Sequence, residues 1–181
     1  MDLQLTASDG HQLAAYVATP TGSPRGAIVV IQEIFGVNTH IRAVADGWAN
    51  DGYLAIAPSL FDRVERDVKL DYTPDAIQRG RELKVKITTE WMARDVAAAI
   101  AHVAHAGKVG IVGYCWGGLQ AWRAACELEG LSAAVPYYGG GITTEAEIAR
   151  RPRVPVLAHF SDRDKFIPLD GVEAFRRAHP D

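Results

Sequence analysis

The stretch Val109-Gly-Ile-Val-Gly-Tyr-Cys-Trp-Gly-Gly-Leu119 constrains the fold more than any other part of the 181-residue chain. Val109 to Val112 is a short apolar run rich in β-branched residues, the composition of a buried strand. Gly113 and Gly117 flank Cys115 two residues away on either side, and the alanine-rich run from Gln120 to Cys126 reads as a helix. A strand, a sharp turn and a helix with a nucleophilic side chain at the tip is the G-x-S-x-G elbow, with cysteine in place of serine. So tight a turn strains the backbone of its central residue. Glycines on both sides remove Cβ atoms that would collide, and Gly118 lets the helix lie close to the sheet. Two chemical consequences are expected. The helix N-terminus beneath the sulfur should lower the thiol pKa, and the Trp116 amide should face the oxygen of an attacked carbonyl. A G-x-G-x-x-G dinucleotide loop is excluded, since Cys115 stands where its second glycine belongs.

Around this element the chain alternates strands and helices. Leu3 to Leu5 and Leu13 to Val17 form an opening hairpin about Asp9-Gly10. Ala27 to Ile31 is continuously apolar, as expected of a strand buried on both faces. Asn38 caps a helix from Thr39 to about Asn50, and Tyr53 to Ala57 is the next strand. Pro58 to Pro74 has no period and reads as a surface loop. Asp75 to His105 is helical in two pieces, the second from Thr88. Beyond the elbow, Ala133 to Tyr138 and Val154 to Phe160 read as strands, Glu145 to Arg150 as a short helix and Leu169 to Ala178 as a longer one. The pattern is α/β: a mostly parallel sheet with helices on both faces and an N-terminal antiparallel hairpin. Neither repeats nor a linker divide it, so residues 1–181 read as a single domain.

In an open α/β sheet the functional crevice lies beyond the carboxyl ends of the strands. Glu33, Cys115, Tyr138 and the Asp162/Asp164 segment each follow a strand and are expected to converge there. In α/β-hydrolases the chain order is nucleophile, acid, histidine. Cys115 followed by Asp164 fits the first two places; Asp164 is preferred to Asp162 because Asp-x-x-x-Pro puts its carboxylate in the loop before the next helix. Glu33, directly after a buried strand, needs a polar partner, which a thiol supplies.

Gln32-Glu-Ile-Phe-Gly-Val-Asn38, Gly113-Tyr-Cys-Trp-Gly-Gly118 and Tyr137-Tyr-Gly139 together resemble the dienelactone hydrolase family, and the likeness runs from the opening hairpin to the end of the chain. The resemblance implies a single-domain α/β-hydrolase fold that opens enol-lactone or related ester bonds with a Cys-His-Asp triad. By that likeness Cys115 is the nucleophile, Asp164 orients the histidine, and Glu33 hydrogen-bonds the resting thiol and takes its proton. The amides of Ile34 and Trp116 form the oxyanion hole. Arg81 binds a substrate carboxylate, with Arg79 as the alternative, and Tyr138 lines the pocket.

The chain departs from the family at its end, where a last strand, the histidine loop and a final helix are expected beyond Asp181. The domain is therefore read as C-terminally incomplete, with the catalytic histidine outside it. His179 ends a helix in Ala-His-Pro, a position facing away from the strand ends. His159 reads as a core residue, and His11, His40, His102 and His105 as turn or helix-surface residues. The alternative function is a catalytically dead binding module on the same fold. The partner expected is a small ester or lactone. A net charge of −3 gives no footprint for nucleic acid or an anionic membrane, and the apolar runs are too short to span one. No spacing suggests a metal, and no cofactor is expected. Two cysteines and no visible signal peptide suggest the cytoplasm.

Overall fold

The strand Ala27–Ile31 is apolar at every position because both faces of the sheet are covered there. In a computed structural model, which describes residues 1–180, it is β3 of a six-stranded sheet. The chain runs β1 (Asp2–Thr6), β2 (Gln12–Ala18), β3, α1 (Thr39–Asn50), β4 (Leu54–Pro58), α2 (Pro74–Lys84), α3 (Thr89–Val103), β5 (Val109–Tyr114), α4 (Trp116–Glu127), β6 (Leu131–Tyr137), α5 (Glu145–Ile148) and α6 (Leu169–Ala178). The strand order is β1-β2-β4-β3-β5-β6. β1 pairs antiparallel with β2 about the Asp9-Gly10 turn, and β2 pairs antiparallel with β4. All pairings further along are parallel. This is the mostly parallel α/β sheet with an antiparallel opening hairpin expected from the alternation of elements, and the α/β-hydrolase architecture that the family resemblance implies.

Helices cover both faces through alternate side chains of the same strands. On one side Ile41, Ala45 and Ala49 of α1 meet Val30, Ala55, Ala57 and Val112. On the other, Val96, Ala99, Ile100 and Val103 of α3 and Ala121, Ala124 and Ala125 of α4 meet Val29, Ile31, Ile56 and Ile111. The helix starts are fixed by side-chain caps. Asn38 accepts the Ile41 amide at 3.2 Å, Thr73 that of Ala76 at 3.2 Å and Thr88 that of Trp91 at 3.1 Å.

Three expectations are corrected. Val154 to Phe160 is not a continuous strand: it lies parallel to β6 but bridges it only at Ala134–Val156 and Tyr137–His159. The ladder is complete except at one place. Ala134 donates to Pro155 and accepts from Leu157, and Pro136 accepts from His159, but Pro136 has no N–H to continue the rung. Second, the 58–74 segment does not stay on the surface. Leu60 and Phe61 are fully buried, and the Phe61 ring stacks on Trp116 with centroids 5.2 Å apart. Third, His159 is exposed and stacks on Tyr137 at 4.3 Å rather than filling the core.

Polar contacts hold the 58–74 segment down. Gln32, fully buried, accepts the Leu60 amide at 3.1 Å. The Arg63 guanidinium, 6% exposed, reaches Asp95 at 2.8 Å and Asp9 at 2.8 Å and lies over the Trp91 ring. Burial pushes the Asp95 carboxyl up despite the arginine, whereas the Arg63 hydrogen bond holds the more open Asp9 well below the usual carboxylate range. Removing one partner of a buried ion pair leaves an uncompensated charge. Asp95→Ala is therefore expected to lower unfolding stability by about 3 kcal/mol in urea titrations; a loss below about 1 kcal/mol would show that Arg63 finds water instead.

Candidate active site

Cys115 sits at the tip between β5 and α4 with φ 55° and ψ −120°, a conformation L-residues avoid. What forces it is the closeness of β5, α4 and β3. A Cβ on Gly113 would lie 2.0 Å from the Gly117 carbonyl oxygen, and one on Gly117 2.4 Å from that of Gln32. The Cys115 amide donates to Tyr137 at 3.0 Å, tying the tip to the end of β6. As the strand-end rule requires, Glu33 follows β3, Cys115 follows β5 and Tyr138 follows β6.

A cavity of about 350 Å³ opens over the sulfur. Ile34, Arg81, Lys84, Cys115, Tyr138 and Asp164 line it, together with Gly140, Phe166 and Ile167. Five of the seven residues singled out from the sequence thus share one cavity. The sixth, Trp116, is buried, and its amide lies close enough to the Cys115 sulfur to favour the thiolate. The Ile34 amide has no protein acceptor among the described residues. The loop carrying it is held by α2, where Gly80 packs so tightly that a Cβ would lie 2.1 Å from the Ile34 carbonyl oxygen.

The seventh, Glu33, is 8% exposed and close enough to the sulfur to disfavour its anion. Among the described residues its carboxylate does not hydrogen-bond the thiol; it accepts from the Tyr72 hydroxyl at 2.7 Å. Tyr72 was invisible in the sequence because it lies in an aperiodic segment. Lys84 was also missed, although i,i+3 spacing from Arg81 puts both on one helix face. The two candidate arginines are separated by the fold: Arg79 pairs with Glu65 and Glu82, while Arg81 faces the cavity. Asp164 reaches the cavity, and one of its oxygens accepts the Phe166 amide at 2.8 Å, closing a turn. No histidine lines the cavity among the described residues. His179 packs instead on Trp122 and Phe175.

The thiol corrects one expectation. Burial pushes its pKa up, and the Glu33 charge adds to that; the Trp116 amide pulls the other way and loses. Tyr138, in left-handed backbone at φ 39°, has its phenol raised by burial and by Glu33 and Cys115, so it stays neutral in the cavity it shares with the sulfur.

A sequence model of the dienelactone hydrolase family matches residues 13–180. Carboxymethylenebutenolidase of Pseudomonas putida is 34% identical over 172 residues, covering 92% of this chain and 72% of that protein. A crystal structure from Klebsiella pneumoniae assigned to the dienelactone hydrolases superposes with TM-score 0.80 at 31% identity, over 98% of this chain and 80% of that one. An esterase from Pyrococcus furiosus shares the fold, with TM-score 0.69 at 14% identity, covering 99% of this chain and 77% of that one.

Because its pKa is raised, Cys115 should be mostly thiol at neutral pH. Its alkylation by iodoacetamide, followed by peptide mass mapping, should lag a free cysteine at pH 7 and still be climbing above about pH 9. Cys126, pushed up to about 11 by burial, should lag further. Fast, pH-independent labelling of Cys115 below pH 7 would contradict this.

Proposed function

The chain belongs to the dienelactone hydrolase family, and from that membership we propose that Cys115 opens an ester or enol-lactone bond through an acyl-enzyme. The chain is a hydrolase acting on ester bonds; the residues and steps that follow are the proposal. The observation that carries it is the strained Cys115 in a cavity it shares with Ile34, beside the Glu33 charge.

In this reading the substrate carbonyl lies over the sulfur with its oxygen toward the two amides. The Cys115 proton passes to Glu33 as sulfur attacks carbon, so the costly free thiolate never accumulates in the resting site. The tetrahedral oxyanion is held by amides already fixed in place by α4 and by the Gly80 contact. Collapse breaks the carbon–oxygen bond, and the leaving oxygen takes the proton back from Glu33. Water then cleaves the thioester, releasing the acid and restoring the thiol. Arg81 and Lys84, without carboxylate partners among the described residues, favour a substrate bearing an anionic group at that side. Asp164 is placed to orient an imidazole at the same cavity.

A second reading, a pocket that binds an ester without turning it over, is favoured by the absence of any imidazole beside Asp164 among the described residues. A p-nitrophenyl ester separates the two. The proposal predicts release of nitrophenol with a Cys115 thioester seen by intact mass, and a loss of at least about a thousandfold in Cys115→Ala with an unchanged circular dichroism spectrum. Unchanged turnover in that variant removes Cys115 as nucleophile; binding without thioester or nitrophenol favours the second reading.

A further inference from the structure

Glu33 is nearly buried, and the hydrogen bond it accepts comes from a residue outside the elbow, the cavity lining and the family motifs: Tyr72, at 2.7 Å. The Tyr72 hydroxyl does not reach this position by chance of a loose side chain. Lys69 bridges Gly36, the Leu70 amide donates to Phe35 at 2.8 Å, and Asn38 donates to the Leu70 carbonyl at 3.1 Å. One residue later Thr73 caps α2. The strap Lys69–Thr73 is therefore tied at one end to the loop that carries Glu33 and Ile34, and at the other to the helix that carries Arg81. Between those ties the Tyr72 ring packs on Phe35 with centroids 4.5 Å apart, which fixes where the hydroxyl points.

We propose that Tyr72 is a positioning residue that holds the Glu33 carboxylate and shares its charge, so that the strap Lys69–Thr73 tunes how Cys115 gives up its proton. The inference rests on the reading of Cys115 as the nucleophile and Glu33 as its acceptor. A carboxylate placed beside a half-buried thiol opposes ionisation of the sulfur, and a hydroxyl donating to that carboxylate spreads the opposing charge. Although the residue is 54% exposed, partial desolvation and the Glu33 carboxylate push the Tyr72 phenol up to about 12, so the donor keeps its proton throughout the working range. The other titratable groups about the pair are Tyr138 and Tyr114 on the strand ends, His40 on α1 with its ring 6.2 Å from that of Tyr72, and Lys84 and Asp164 across the cavity. In the structure none of these donates a hydrogen bond to Glu33 among the described residues, which leaves Tyr72 as the group that can be removed selectively.

The test is the pH profile of Cys115 alkylation, which requires no turnover and so is independent of whether the chain hydrolyses an ester. Tyr72→Phe keeps the ring on Phe35 and removes only the donor. With the Glu33 charge no longer shared, the profile should move to higher pH by about half a unit, roughly threefold slower labelling on its rising limb. Glu33→Gln alone should move it to lower pH. In a Glu33→Gln background the Tyr72→Phe change should then have no effect, since its route to the sulfur is gone. A Tyr72→Phe profile that superimposes on the parent or moves downward, or a shift that persists in the Glu33→Gln background, would overturn the proposal. Failure of Cys115→Ala to abolish hydrolysis would instead overturn the nucleophile assignment, a separate measurement.

Discussion

The contact on which the rest of this molecule depends is backbone against backbone, where the end of β3, the end of β5 and the first turn of α4 crowd together at Gly113 and Gly117. No side chain fits between them: a single methylene on Gly117 would overlap the carbonyls of both Ile31 and Gln32. That closeness leaves Cys115 no ordinary backbone conformation, and the burial of the surrounding sheet supplies the energy that holds it there. Direction follows from the same contact. The sulfur points out of the sheet, the Trp116 amide points at the sulfur, and the loop after β3 is brought alongside with the Ile34 amide and the Glu33 carboxylate.

Electrostatics at this tip are a contest between an amide and an interior. One helix N-terminus offers the thiolate a hydrogen bond, but burial together with a neighbouring carboxylate outweighs it. A resting thiol rather than a thiolate is the result. A protonated, half-buried thiol of this kind is a poor target for indiscriminate alkylation or oxidation. The Tyr72–Glu33 bond belongs to the same balance, because it sets how much of the carboxylate's charge the sulfur feels.

Local features were legible in the sequence and long-range ones were not. The elbow could be read because its requirement for glycine acts within five residues, and the helix cap Asn38 signals over three. The sign of the thiol shift could not be read, because it depends on how completely β3, α4 and the 58–74 segment close around the sulfur. That segment misled for the same reason. Its polar, aperiodic composition resembles a surface loop, yet Gln32 and the Arg63–Asp95 pair draw Leu60 and Phe61 inward from positions 28 and 32 residues distant. Tyr72 has no periodic neighbour to mark it; only the strap's ties to Gly36, Phe35 and Asn38 aim it at Glu33. The apolar pattern marked 154–160 as a strand, but pattern alone does not register that a proline on the neighbouring strand withholds one donor.

That withheld donor divides the site into two mechanical parts. Cys115 and the start of α4 are held by backbone packed against backbone at Gly113 and Gly117, and cannot be moved without unpacking the sheet. Asp164 hangs from a border segment stitched to its neighbour by an interrupted seam, two residues lying between one bridge and the next. Its carboxylate takes its final bearing from whatever packs along that border, whereas the sulfur's bearing is inherited from the centre. One fold thereby pairs a fixed sulfur with an adjustable carboxylate.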